Sequence, residues 1–147
     1  MMQRSYILFL LLGLGITVLL IIPSQAQDSQ HYLLMQPISN SFTYGDFSPL
    51  KEISLKRISI NFEPPFELSG YFIIDKFIED FSSDYSSYHV QSIEWSSRQL
   101  EEKYSVQALN ISLRHKQTDK FVDYKFIFFL TKIDKEWKIY YLRGLKR

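Results

Sequence analysis

The sequence contains no cysteine. Disulfides, cysteine nucleophiles and cysteine-type zinc sites are therefore excluded, and stability rests on the packed core alone. Glycine and proline are scarce, with five of each in 147 residues, which excludes collagen-like and linker-like chains. Histidine is scarcer still. His31, His89 and His115 are scattered, a pattern of surface residues rather than of a ligand set. No nucleophile elbow, phosphate loop or metal-ligand spacing is present, so no catalytic residue, cofactor or metal is assigned. The sequence also lacks internal repeats and low-complexity runs.

What is present is apolar and aromatic. Hydrophobic residues make up 46% of the chain and aromatic residues 16%, as expected of one small globular domain. The first 26 residues stand apart. Arg4 precedes an uncharged run of 16 residues, Ile7 to Ile22, and Pro23-Ser24-Gln25-Ala26 follows with small residues at the −3 and −1 positions. This is the pattern of a secretory signal peptide cut after Ala26. The alternative is an uncleaved membrane anchor, although the run is shorter than the ~20 residues of a usual span. The organisation read from the sequence is a signal peptide over 1–26, a flexible leader over 27–36 and one domain over 37–147. The expected location is outside the cell or in the periplasm.

Beyond Ala26 the chain holds 16 basic and 16 acidic residues, so a general nucleic-acid binder is not expected. The charge is uneven. Glu63 to Glu102 carries nine acidic and two basic residues, whereas Lys103 to Arg147 carries eleven basic and four acidic. Pairing of the two parts cancels the field; left unpaired, they present a basic face to an anionic partner.

Phe121 to Ile133 (F-V-D-Y-K-F-I-F-F-L-T-K-I) organises the rest. One face is Val122, Tyr124, Phe126, Phe128 and Leu130. The other begins with Asp123 and Lys125, an expected same-strand ion pair, and turns apolar at Ile127 and Phe129. A period of two in aromatic and β-branched residues predicts a central strand. Before it, Pro37 opens a short helix ended by Gly45, and Ser48-Pro49 opens a second one reaching about Ile53. Leu55 to Phe62 alternates as a strand and stops at Pro64-Pro65. Ser69 to Phe81 reads as a helix, with Ser69 as N-cap and Leu68 and Ile73 as a hydrophobic staple. Ile73, Ile74, Phe77, Ile78 and Phe81 form its inner stripe. Ser82 to Ser87 reads as a loop. Strands follow over 88–98, 103–116, 121–133 and 137–145, joined by short turns and hence antiparallel neighbours. Parity switches predict a bulge near Gln91-Ser92 and a second bulge or a sharp bend between Ala108 and Leu109.

Helices followed by a bent antiparallel sheet, with the helices on its concave face, make an α+β roll. The stretches YGDFSPL (Tyr44–Leu50), RISINF (Arg57–Phe62), DKFIEDF (Asp75–Phe81) and WKIYYLRGLK (Trp137–Lys146) carry a resemblance. Over Ile38 to Lys146 the chain resembles a family of small secreted proteins of Bacteroidetes with the cystatin-like roll of the nuclear transport factor 2-like superfamily. Where that family continues into a helix, this chain has Pro64-Pro65. The resemblance implies a conical space between sheet and helices, and it lends no catalytic residues.

By strand parity the inner lining is Trp95, Tyr124, Phe126, Phe128, Ile139 and Tyr141: a filled core, or a pocket for a small apolar ligand. The outer face gathers Ile127, Phe129, Tyr140 and Leu142, which suggests a partner surface and a homodimer. The reading is a non-enzymatic binding or interaction module, whose partner is a second copy, a small apolar molecule or another envelope protein. The alternative is a small isomerase or lyase with Glu94, Asp46 or a histidine as acid/base inside the cone. Asn110-Ile111-Ser112 matches a glycosylation sequon inside a predicted strand.

Overall fold

The computed structural model describes residues 34–147, with the backbone alone at 97 and 98. The expected signal peptide, most of the leader and His31 lie outside the described residues. The chain divides into two compact units, Met1–Gln36 and Pro37–Arg147. The second comprises most of helix α1 (residues 34–44), a 3-10 helix (Ser48–Lys51), strands β1 (Ser54–Phe62) and β2 (Ser69–Ile73), and helix α2 (Ile74–Tyr85). Strands β3 (Tyr88–Leu100), β4 (Tyr104–His115), β5 (Phe121–Ile133) and β6 (Glu136–Lys146) follow. Residues 34–36 are already helical, so Pro37 does not start α1.

The six strands form one sheet in the order β2-β1-β6-β5-β4-β3. The last four are antiparallel neighbours, as their short turns require. The sheet as a whole is mixed, because β1 runs parallel to β6. Strand β5 is central, with β4 and β6 on its two edges. Its even positions Tyr124, Phe126, Phe128 and Leu130 are fully buried, and its odd positions are more exposed.

Helix α1 ends where Gly45 takes a positive φ of 72° and its N–H donates to the Ser41 carbonyl at 2.8 Å. Ile38 and Phe42, one turn apart, are both fully buried. Helix α2 buries Ile74, Phe77, Phe81 and Tyr85. Each large apolar side chain so buried contributes about 1.5–3 kcal/mol. Both helices pack on the inner face: Phe42 lies 4.6 Å from Phe126 between ring centroids, and Phe81 lies 5.8 Å from it. The Tyr85 hydroxyl donates to the Phe42 carbonyl at 2.8 Å and joins the two helices.

The predicted helix over Ser69–Phe81 is corrected at its start. Ser69–Ile73 pairs with β1, from Arg57↔Ile73 to Asn61↔Ser69, and Gly70 has a φ of 143°. Tyr71, Phe72 and Ile73 are strand formers, and a waiting edge on β1 outweighs the helical period. Ser69 therefore caps nothing, the Leu68–Ile73 staple is absent, and Ile73 is exposed. At the other end α2 runs on through the predicted loop to Tyr85. The short second helix is a 3-10 turn, in which Asp46 Oδ1 accepts from the Ser48 N–H at 3.0 Å and from its hydroxyl at 2.6 Å.

Besides a register shift in β1 between Ser54 and Ser59, three bulges shape the sheet. Gln91 is the extra residue between Val90↔Leu113 and Ser92↔Ser112, where the sequence places one. The second lies on β3 rather than β4: Ser96 is extra between Trp95↔Leu109 and Ser97↔Ala108, while β4 stays regular against β5. Consequently β4 keeps one parity, with Ser105, Gln107, Leu109, Ile111 and Leu113 buried on the inner side. The third is Tyr140, extra between Phe129↔Tyr141 and Leu130↔Ile139. It reverses the parity of the rest of β6.

Candidate functional site

The inner lining is a packed aromatic core. Tyr124, Phe126 and Phe128 are fully buried. Phe126 meets Phe42, Phe62, Phe66, Phe81 and Tyr124 at centroid distances of 4.6–5.9 Å. Side chains from α1, α2 and the segment after β1 therefore occupy the space that the sequence left open for a ligand. Trp95 is half-buried at the edge of this layer, 5.9 Å from Phe128, and its indole N–H donates to the Ser39 hydroxyl at 2.9 Å. Burial raises the pKa of the Tyr85 and Tyr124 phenols well above the ordinary range. The nearby Glu63 charge adds to the shift at Tyr124, against a hydrogen bond to the Glu63 carbonyl at 2.7 Å.

The bulge at Tyr140 corrects two site residues. Tyr141, expected inside, lies on the outer face and stacks on Phe129 with centroids 4.9 Å apart. Leu142, expected outside, is buried opposite Phe128. A period-two reading carries through β6 without the extra residue and so assigns both to the wrong face. Ile127, Phe129 and Tyr140 are half-buried. The ladder then sets one row across the outer face: Tyr71, Ser59, Tyr141, Phe129 and Val106. Tyr71 is 68% exposed. The adjoining row is Asn61, Arg143, Ile127 and Ala108. Further along lie Glu94, Asn110 and Lys125. The expected Asp123–Lys125 ion pair is not formed, since residues two apart on a strand lie ~6.6 Å apart along it.

The acid/base candidates do not converge in the cone. Glu94 is exposed and sits opposite Asn110, on the outer face. Asp46 is exposed and caps the 3-10 turn, and the Ser48 hydrogen bonds hold its carboxyl below the usual value. His89 is exposed. His115 Nδ1 accepts from the backbone N–H groups of Gln117 and Thr118 at 3.2 Å each, which assigns the ring proton to Nε2 and orders the turn. The sequon Asn110 is half-buried within β4.

Sequence reasoning missed a cleft at the C-terminal end of α2. It has a volume of about 310 Å3 and is lined by Pro65, Phe66, Glu67, Asp84, Tyr88 and His115, with Ser87 between. Tyr88 separates it from a second cleft of about 290 Å3 that includes Tyr44, His89 and Lys116. These residues come from distant parts of the chain, and no local motif joins them. The one local sign is acidic: Asp80 and Asp84 stand one turn apart at the helix C-terminus, where the dipole disfavours anions.

No family model and no curated relative matches the chain. Solved structures do. A DUF4783 family protein from Bacteroides uniformis is similar over 76% of this chain and 95% of its own, with 11% identity and a TM-score of 0.63. An NTF-2-like protein of unknown function from Silicibacter pomeroyi matches over 84% and 98%, with 12% identity and a TM-score of 0.61. A domain of unknown function with a cystatin-like fold from Nostoc punctiforme matches over 81% and 78%, with 9% identity and a TM-score of 0.63. The packed core, the bulged mixed sheet and these likenesses agree: the chain has the α+β fold of the nuclear transport factor 2-like and cystatin-like domains, as DUF4783 proteins of Bacteroides do.

Proposed function

We propose that this chain is a secreted or periplasmic, non-enzymatic interaction module that self-associates through the outer face of its sheet. The observation that carries the reading is the Phe129–Tyr141 stack, on the face that also carries Ile127, Val106 and Tyr71 and lies opposite the packing of α1 and α2 among the described residues. Adjacent, partly exposed aromatics such as Phe129 and Tyr141 are costly to leave in water and are typical of the centre of an interface. Arg143 and Lys125 border the patch on one side, and Glu94 and Asp123 carry the opposite sign on the same face. A twofold arrangement can bring these opposite charges together. The filled inner layer favours this reading over a small apolar ligand inside the cone.

Sedimentation velocity on the chain and on Phe129→Lys tests it. The expected result is a dimer for the parent and a folded monomer for the variant. A parent that sediments as a monomer at tens of micromolar would overturn the reading. Secretion is tested separately by the N-terminal mass of the protein from its own host, expected to begin at Gln27.

A further inference from the structure

The two edges of the sheet are built differently. Strand β3 carries Glu94 and two bulges, at Gln91 and Ser96, which turn it away from a straight partner. Strand β2 has no such protection. Its sequence, S-G-Y-F-I, holds no charge and no proline. Its pairing with β1 runs without a shift from Arg57↔Ile73 to Asn61↔Ser69.

The hydrogen bonds fix which backbone groups of β2 point outward. The Phe62 N–H donates to the Leu68 carbonyl at 2.8 Å, and the Glu63 N–H donates to the Gly144 carbonyl at 3.0 Å on the other side of β1. Ile58, Ile60 and Phe62 therefore bond to β2, and the residues between them bond to β6. By the same alternation Gly70 and Phe72 face β1. The N–H groups of Ser69, Tyr71 and Ile73, and the carbonyls of Ser69 and Tyr71, point away from it. No strand receives them among the described residues. The Ile73 carbonyl stands at the N-cap of α2 and accepts there. The side chains beside this open row are apolar and exposed: Tyr71 at 68% and Ile73 at 45%.

We propose that β2 docks the β2 of a second copy, antiparallel, about a twofold axis at Tyr71. The strand is complementary to itself in that arrangement. Tyr71 exchanges both main-chain bonds with Tyr71 of the second copy, and each Ile73 N–H donates to the other copy's Ser69 carbonyl. Away from the axis each large side chain lies opposite a small one. Ile73 meets Ser69 on the outer face and Phe72 meets Gly70 on the inner, and no charge opposes a charge. Tyr71 also ends the outer row of Tyr141 and Phe129, so the pairing sets the rows of two copies end to end. The contact joins backbones at the edge and does not depend on the Phe129 face. A strand of five residues makes a small contact, with a Kd on the order of 0.1–1 mM, so it links chains only at high concentration.

The test is the amide NMR spectrum of the isotopically labelled full chain, recorded from ~20 μM to ~2 mM, a range that brackets that Kd. The parent and Phe129→Lys are both measured, which keeps this result apart from association through the outer face. The Ser69, Tyr71 and Ile73 amides are expected to shift along a saturating curve in both. In Phe129→Lys the amides of β3 should stay fixed. Ile73→Pro is the most selective variant. Ile73 already has a φ of −68°, which proline shares, and its N–H points away from β1, so only the outward donor is lost. It should abolish the shifts at Ser69 and Tyr71. Tyr71→Lys, which sets two like charges at the axis, should do the same, and it carries the test should Ile73→Pro fail to fold. Tyr104→Lys, at another exposed tyrosine on β4, should leave the shifts unchanged. Edge amides that ignore concentration, shifts on β3 in their place, or undiminished shifts in the folded β2 variants would each overturn the proposal.

Discussion

The two faces of β5 differ by one residue step and by nearly everything else. Phe126 and Phe128 are fully buried among the rings of both helices, while Ile127 and Phe129, their neighbours in sequence, remain half-exposed. Over Phe126–Phe129 the strand has the same chemistry on both sides, so side-chain type does not decide the outcome there. The helices do: α1 and α2 both pack on the inner face, and the other face is left with Tyr141, Val106 and Tyr71 as company. The inner face holds the domain together; the outer face stays partly open to solvent.

The comparison breaks most visibly at Phe126. Phe126→Ala should cost about 3–5 kcal/mol, whereas Phe129→Ala should cost less than ~1.5 kcal/mol in the monomer. Urea unfolding measures both, and equal losses would mean that both faces belong to the core. Gly144 sharpens the same point. A Cβ there would lie 2.6 Å from the Tyr124 ring and hydroxyl and 2.8 Å from Phe62. Gly144→Ala should therefore cost about 1–3 kcal/mol through overpacking, checked by the same unfolding curves. A loss below the experimental error would show that Tyr124 can move aside. Trp95→Phe removes the indole bond to Ser39 and should cost about 0.5–1.5 kcal/mol.

The inner face also has an alkaline signature. Tyr85 and Tyr124 hold their protons above the ordinary phenol value of about 10, so the unfolded chain ionises first. Their contribution to stability is complete below that value and is lost as pH rises beyond it. Phenolate absorbance read between pH 10 and 12 should show two tyrosines silent until unfolding; titration of all the tyrosines in the folded state would contradict their burial. The smallest effect belongs to Asp46. Its lowered pKa stabilises the fold above the unfolded value and fades as pH falls below it. Asp46→Asn should flatten only the acid limb of the stability profile.

Much of this arrangement was legible in the residues. Strand β5 was readable because the apolar alternation Val122, Tyr124, Phe126, Phe128, Leu130 follows the period of a strand. The bulge at Gln91 was readable because apolar parity changes between Val90 and Ile93. Ser69–Ile73 was not, because the pairing that makes it a strand is supplied by β1, outside any local window. Tyr141 and Leu142 exchanged faces because an extra residue at Tyr140 leaves no mark in a run where both parities are apolar. The same holds for β4, where apolar Val106 and Ala108 on the outer face imitate a parity switch in a strand that stays regular. The cleft around Tyr88 was illegible for a different reason: Glu67, Asp84 and His115 are joined only by tertiary structure.

The most direct test of the outer face as an interface is native mass spectrometry of the chain purified from its own host. The account predicts a mass of two copies, each beginning at Gln27, with no adduct of a few hundred daltons in the aromatic core. A single copy across the micromolar range would contradict it, and a reproducible apolar adduct would transfer the function to the inner face.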